Sequence, residues 1–297
     1  MNRTTLEQWR MLKAVIDHGG FAQAAEVVHK SQSSINHAVH KLQDQLGLRL
    51  LEVVGRKAQL TEAGALMLRR AEQLLEQAAQ LEAVGDSLAE GTEAEIRIAI
   101  DEIYPYDALA VALAGLAADY PNTRVELLET VLSGGPELLI AGEVDLLVAG
   151  EVPAGFLGDP LMQAEFVAVA RADHPLHQIG RGLTLQDLSR HRQLVVRDSG
   201  RLHNRDMGWL GAEQRWTVSH VSTSVDMVQR GMGFAWLPAS RVASGLASGV
   251  LAELPLTQGV QRYVTLYLSY ADRDRAGPAA CRLAELLHAE CAAYGAG

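Results

Sequence analysis

Residues 21–64 read FAQAAEVVHKSQSSINHAVHKLQDQLGLRLLEVVGRKAQLTEAG, and the fold of the chain is decided there. At the centre, Ile35, Val39, Leu42 and Leu46 recur at spacings of four, three and four, which makes one stripe of a 3.6-residue helix. Ser33, Asn36, His37, His40 and Asp44 fall on the opposite side. Ser31 is a good N-cap just ahead, so Gln32 and Ser33 project from the first turn. Amide, hydroxyl and imidazole groups at the start of a helix suit the reading of base edges in a major groove. The competing interpretation is an ordinary amphipathic helix whose polar face is merely wet.

The flanks decide between the two. A short Ala-rich helix over 21–28 and a His29-Lys30 turn precede this segment, a helix-turn-helix pattern. Leu46-Gly47-Leu48 ends it on a glycine. Residues 50–54 and 57–60 then read as two short strands around Gly55-Arg56, a basic-tipped wing. The expected unit is a winged helix-turn-helix.

Ser31-Gln32-Ser33-Ser34-Ile35-Asn36, the Leu42…Leu46-Gly47 ending and Leu60-Thr61-Glu62-Ala63-Gly64 strongly resemble the LysR-type transcriptional regulators. The order of later elements matches too, as a weaker pattern, so the resemblance spans nearly the whole chain. Ser33 stands where that family usually has proline, Asn36 where serine is usual, Leu51 where phenylalanine is usual, and Val53 where arginine is frequent. The first two bear on DNA sequence preference, and the last removes one phosphate contact.

Charge is divided along the chain. Residues 1–60 hold eight Lys/Arg against five Asp/Glu, a balance of +3, while the remainder carries −13 and the whole −10. Basicity sits where DNA contact is expected, and the acidic remainder would repel phosphate. Gln32, Ser33, Asn36, His37 and His40 are the candidate readers. Lys30, Lys41 and Lys57 are candidate phosphate contacts, which hold register without reading sequence. Arg56, at the wing tip, is placed to enter a minor groove, where narrow A·T tracts attract arginine.

The first helix is expected over 5–17, with Leu6, Trp9, Leu12 and Ile16 on one stripe. From Thr61 a helix runs to about Ala89, with Met67, Ala71, Leu74, Ala78, Leu81, Gly85 and Leu88 alternating at four and three. That is a heptad seam, read as a dimerisation helix over 61–90. Two-fold symmetry would be mirrored in a near-palindromic operator, and the resemblance implies dimers or tetramers.

After Gly91 an α/β region begins. Strand-like runs cover 95–100, 124–128, 144–148, 166–170, 193–196, 216–221, 234–237 and 263–269. Helical patterns fall at 107–120, 137–141, 184–190, 225–230 and 278–294. The resemblance implies a two-lobed, periplasmic-binding-protein-like effector domain over 91–297. Lobe I would take about 91–163 and 264–297, and lobe II about 164–263. No signal peptide or bilayer-length apolar run is visible, and Cys281 and Cys291 read as buried structural thiols, all fitting a cytoplasmic protein without membrane contact.

Enzyme signals are weak. Gly231-Met232-Gly233 precedes a strand, the reverse of a dinucleotide loop, and His174 and His177 lack companions for a metal site. No catalytic residue, cofactor or metal is assigned. Ligands in such sheets sit at the carboxyl ends of strands beside helix N-termini. That rule selects Asp101, Glu102 and Ile103, then Thr130 and Val131, then Arg197, Ser199, Ser222 and Thr223 as effector contacts. Asp101 and Glu102 oppose a carboxylate there, so an effector of mixed character, a zwitterion or a neutral hydrogen-bonding ring, is expected. The function read from the sequence is a DNA-binding transcriptional regulator controlled by a small molecule bound between two lobes. The alternative is a small-molecule-binding or catalytic α/β protein whose N-terminal helices only oligomerise.

Overall fold

In α1 (Leu6–Asp17), Thr5 and Gln8 cap the first turn reciprocally, each side chain accepting from the other's backbone N–H. The buried stripe of α1 is shifted from the expected one: Trp9 and Leu12 are buried, Leu6 and Ile16 only partly, and Met11, Ala14 and Val15 are buried as well. The computed structural model describes residues 3–54, 57–89, 91–202, 209–257 and 262–294. They form two units, Met1–Glu90 and Gly91–Gly297.

In the first unit, α2 (Phe21–Val27) leads into a turn where His29 takes a left-handed backbone, φ 53°. Ser31 then caps α3 (Gln32–Leu46), its hydroxyl accepting from Ser34 N at 3.2 Å. Ile35, Val39 and Leu42 are buried, and Gly47 (φ 67°) turns the chain out while Leu48 N donates to Gln43 O. Strands β1 (Leu51–Val54) and β2 (Lys57–Leu60) pair antiparallel as the wing. Gln43 anchors the wing to α3: its side-chain oxygen accepts from Leu50 N at 2.8 Å and Leu51 N at 3.1 Å. Thr61 caps the 28-residue α4 (Glu62–Ala89), accepting from Gly64 N at 2.9 Å. Gly64 lies so close to the chain at Leu50 that an added Cβ would fall 2.0 Å from the Leu50 carbonyl oxygen. The core gathers Trp9, Leu12, Val15, Ile35, Val39 and Leu42, and α4 contributes Leu68 and Ala71 to it.

The second unit alternates strands and helices. Its elements are β3 (Glu95–Asp101), α5 (Tyr106–Asp119), β4 (Arg124–Thr130), α6 (Gly134–Ala141), β5 (Leu146–Ala149), β6 (Gly158–Arg171), α7 (Leu185–Ser189), β7 (Gln193–Val196), β8 (Arg215–Val218), α8 (Val221–Gln229), β9 (Phe234–Pro238), α9 (Ala239–Ala247), β10 (Leu251–Glu253), β11 (Arg262–Tyr270) and α10 (Pro278–Tyr294). The strand order is β4-β3-β5-β11-β6-β9-β7-β8, with β10 on β6. β3 pairs parallel with β4 and β5, and β7 pairs parallel with β8 and β9. Between these two parallel groups lie β6 and β11, long and antiparallel to each other; Gln163 faces Thr265 and Ala164 faces Val264 there. Each group is covered on both sides. Ile98, Ile100, Leu116 and Leu283 fill one core of the first lobe, and Val169, Leu194, Val228 and Leu237 fill one core of the second. Cys291 is buried against Tyr104, and both cysteines are free thiols.

Five elements, β6, β8, α8, α9 and β10, differ most from the sequence expectation. The strand expected over 216–221 stops at Val218, and Val221 opens α8, four residues before the expected start. β6 is 14 residues long rather than five. Its N-terminal half carries Pro160 opposite a register shift at Leu266/Tyr267, which breaks the alternation that marks a strand. Helix α9 and strand β10 were not expected. The α9 sequence ASRVASGLA is rich in serine, glycine and alanine and offers little apolar stripe beyond Val242 and Leu246.

Candidate functional site

On α3, the side opposite the buried stripe is open. Gln32, Ser33, Asn36, His37, His40 and Lys41 are all exposed. Ser33 stands 3.0 Å from the capping hydroxyl of Ser31, which steadies the first turn. The face therefore offers donors and acceptors of several kinds on a helix whose inner side is fixed. Lys30 is engaged by Glu7 on α1 in an exposed ion pair. Lys57 starts β2, opposite Val54. Arg56 lies outside the described residues.

The second unit holds a cavity of about 240 Å³. Asp101, Ile103 and Val131 border it from the first parallel group, and Gln193, Trp209 and Trp236 from the second. Arg262 and Val264 of β11 also border it. Trp209 and Trp236 meet at 5.8 Å between ring centroids, and the Arg262 guanidinium lies 5.0 Å over the Trp236 ring. Asp101 is buried, its two oxygens accepting from Ile103 N and Leu132 N, each at 3.2 Å. Burial, which those two bonds offset in part and the nearby Glu102 and Asp198 reinforce, pushes its carboxyl up to about 7.

The chain matches two family models. One, "Bacterial regulatory helix-turn-helix protein, lysR family", covers residues 6–65, and the other, "LysR substrate binding domain", covers 89–292. This chain belongs to the LysR family. Among similar relatives, the uncharacterised HTH-type transcriptional regulator YeeY of Escherichia coli is 30% identical over 84% of this chain and 82% of its own. The RuBisCO operon transcriptional regulator of Allochromatium vinosum is 28% identical over 97% of both. Among solved structures, CrgA from Neisseria meningitidis aligns with a TM-score of 0.55 at 23% identity, over 97% of this chain and 99% of that one. Full-length LysG from Corynebacterium glutamicum aligns at 0.53 and 20%, over 98% of each. These structures share the fold. As a LysR-family member the chain is a DNA-binding transcriptional regulator with an effector-binding domain, and not an enzyme.

The expected effector contacts in this LysR-family chain separate into two sets. Asp101, Ile103 and Val131 border the cavity. Of the other six, Glu102 and Ser199 tie one lobe to the other. The Glu102 carboxylate, 2% exposed, accepts from Val221 N at 2.5 Å and sits 2.6 Å from His220 Nδ1. The N-terminus of α8, one of the helix ends expected beside the ligand, is thus filled by the chain's own carboxylate. Ser199 Oγ lies between Val131 N (2.8 Å) and Val131 O (3.1 Å). Asp198 accepts from Ser133 N at 3.0 Å and Ser133 Oγ at 2.6 Å. Thr130 turns inward to donate to Ile100 O. Arg197 is exposed, with its backbone N donating to Val218 O. Ser222 and Thr223 lie inside the first turn of α8 rather than ahead of it. His174, weighed as a metal ligand, instead caps a short 3₁₀ turn (Pro175–Ile179), and burial pushes its imidazole down to about 4.

The Asp101 carboxyl makes stability depend on pH. Unfolded, it ionises near its ordinary value; folded, it keeps its proton to about 7. The folded state therefore loses stability as pH rises from about 4 to 7, by on the order of 4 kcal/mol, and the loss levels off above that range. Asp101→Asn, which cannot ionise, should flatten that fall. Urea midpoints of both proteins from pH 4.5 to 8 provide the check; parallel curves would show that Asp101 titrates normally.

Proposed function

We propose that this regulator reads its operator with the exposed face of α3 and responds to a small molecule held in the cavity between its lobes. The observation that carries the first half is the open polar face Gln32–Lys41 on a helix whose other side is buried in its own domain. His37 and Asn36 are placed to meet base edges, while Lys41, Lys57 and Arg56 supply phosphate and groove contacts. For the second half, Asp101, Ile103 and Val131 meet Gln193, Trp209 and Trp236 around one cavity, and these form the effector set. Ligand and DNA are then coupled, each changing the affinity for the other by the same factor. Two copies pair through α4, placing two α3 helices on a near-palindromic site. Such a protein works in the cytoplasm, where its DNA lies; among the described residues no helix is long and apolar enough to cross a membrane.

The test separates reading from positioning. His37→Ala should weaken specific binding by about 1–3 kcal/mol and relax preference at one base position, while Lys41→Ala should weaken all sequences alike. Fluorescence anisotropy on the chain's own upstream DNA and on a scrambled duplex measures both. Equal losses on the two duplexes for His37→Ala would remove α3 from sequence readout.

A further inference from the structure

Each lobe sends one carboxylate to a helix start on the other. Glu102, which follows β3 in the first lobe, accepts from Val221 N, the first residue of α8 in the second. Asp198, which follows β7 in the second lobe, accepts from Ser133 N at 3.0 Å and Ser133 Oγ at 2.6 Å, just ahead of α6. The first N–H groups of a helix have no partner within it and carry the positive end of its dipole, so such an end favours an anion. At α8 the surroundings add to that preference. His220 Nδ1 lies 2.6 Å from the Glu102 carboxylate, and Arg241 is close: burial disfavours its charge, and Glu102 and Glu129 offset that. Glu102 is only 2% exposed, while the His220 side chain beside it is 57% exposed and faces solvent. Val221 also borders the cavity, and the Glu102 charge adds to the effect of burial on Asp101 in the same wall.

We propose that Glu102 is a tethered anion and a specificity-determining residue: it takes the place of a ligand carboxylate at the start of α8, closes the second lobe on the first, and keeps acidic ligands from that position. The consequence for effector choice rests on the effector reading of the cavity; the closure of the lobes does not. Two physical reasons support the assignment. A carboxylate carried by the chain loses no translational freedom on reaching Val221 N, so a free acid at millimolar concentration does not displace it. A second carboxylate brought to the same helix end would meet the charge already there, in a place largely closed to water. Arg262 also borders the cavity, stacked on Trp236, so an acidic ligand finds a partner on β11 but none at α8. Glu102 and Asp198 cross the cleft in opposite directions, which makes closure a property of the chain itself.

Glu102→Ala leaves a carboxylate-sized space beside Val221 N, and thermal unfolding of the full chain in sodium acetate reads whether an outside anion fills it. Sodium chloride at equal ionic strength and acetamide are the controls. In about 100 mM acetate the melting temperature of Glu102→Ala should rise, saturably, by about 3 °C more than that of wild type. Glu102→Gln, which keeps an acceptor in place, should follow wild type, and uncharged acetamide should rescue nothing. Hydrogen exchange reads the closure. Val131 N and Ser133 N donate to Ser199 and Asp198 across the cleft. Both amides should exchange about tenfold faster in Glu102→Ala and slow again in acetate. If the alanine variant does not fold in chloride, its refolding yield in acetate against chloride gives the same reading, with Glu102→Ser as a second variant. Equal effects of acetate on wild type and variant, equal rescue by acetamide, or equal refolding yields overturn the tethered anion. The effector reading survives that result, because other residues form the cavity wall; a cavity that binds no effector would in turn leave the acetate rescue unchanged. Rescue with no change at Val131 and Ser133 reduces Glu102 to a helix cap and overturns its part in closing the lobes.

Discussion

Replacing Leu74 and Leu81 together with glutamate is expected to convert the protein from an oligomer to a monomer. Of the heptad seam, Met67 packs on the domain core and Ala71 is buried in it, so those positions serve the chain itself. Leu74 and Leu81 are 49% and 73% exposed, on the part of α4 that carries the seam beyond that core. In a two-fold pair they meet their counterparts, and four leucines leave water together. Scaled by their exposure, Leu74 contributes about 1 and Leu81 about 1.5 kcal/mol, so their loss from both copies removes about 5 kcal/mol, between three and four decades in dissociation constant. Opposed glutamates add repulsion. Sedimentation velocity at micromolar concentration reads the result, with Leu66→Glu as a control that is exposed but off the seam. An intact oligomer in the double variant would place the interface elsewhere.

Glu102→Ala should cost the second unit about 3 kcal/mol. The carboxylate is buried, it accepts from Val221 N at the start of α8, and it faces His220 from the other lobe. Removing it leaves that helix end without its acceptor, since the His220 side chain at the N-cap does not cap the helix itself. It also removes one of the two carboxylates, with Glu129, that favour the charged form of Arg241, a partly buried guanidinium stacked 3.6 Å over Tyr106 whose Nη1 has no partner among the described residues. Uncompensated buried groups of this kind are among the few sources of large single-site losses. Chemical denaturation should show the drop. Stability unchanged within about 0.5 kcal/mol would mean that water replaces the carboxylate at no cost.

Periodicity carried the DNA-binding unit because its signals are local. Ile35, Val39 and Leu42 lie on one stripe, Ser31 caps the same helix and Gly47 ends it, all within a single window. The first strand, β3, and the acidic pair after it were legible for the same reason. What Asp101 and Glu102 each do was not. Adjacent residues leaving a strand point different ways, one to the cavity and one to α8. The start of α8 was misplaced because its acceptor lies 119 residues upstream, and VSTSV by itself favours extended backbone. Gln193, Trp209 and Trp236 were not singled out, although a glutamine opening an otherwise apolar strand was a signal within reach. Their meaning comes from the pairing of β7 with β9, which joins positions about forty apart. The cavity wall is a product of topology.

Helix α4 runs unbroken for 28 residues, and its first turns are packed into the same core as α3. At 1.5 Å per residue it is a rod about 42 Å long, clamped at one end. Nothing between Glu62 and Ala89 interrupts its helical geometry, so it has no joint at which an angular change can dissipate. A tilt of about 5° at the far end sweeps the clamped end through about 3.7 Å, close to the step between neighbouring base pairs. If two copies pair through α4 as proposed, leverage of that size would turn a slight rotation between the rods into a whole-base mismatch at the operator.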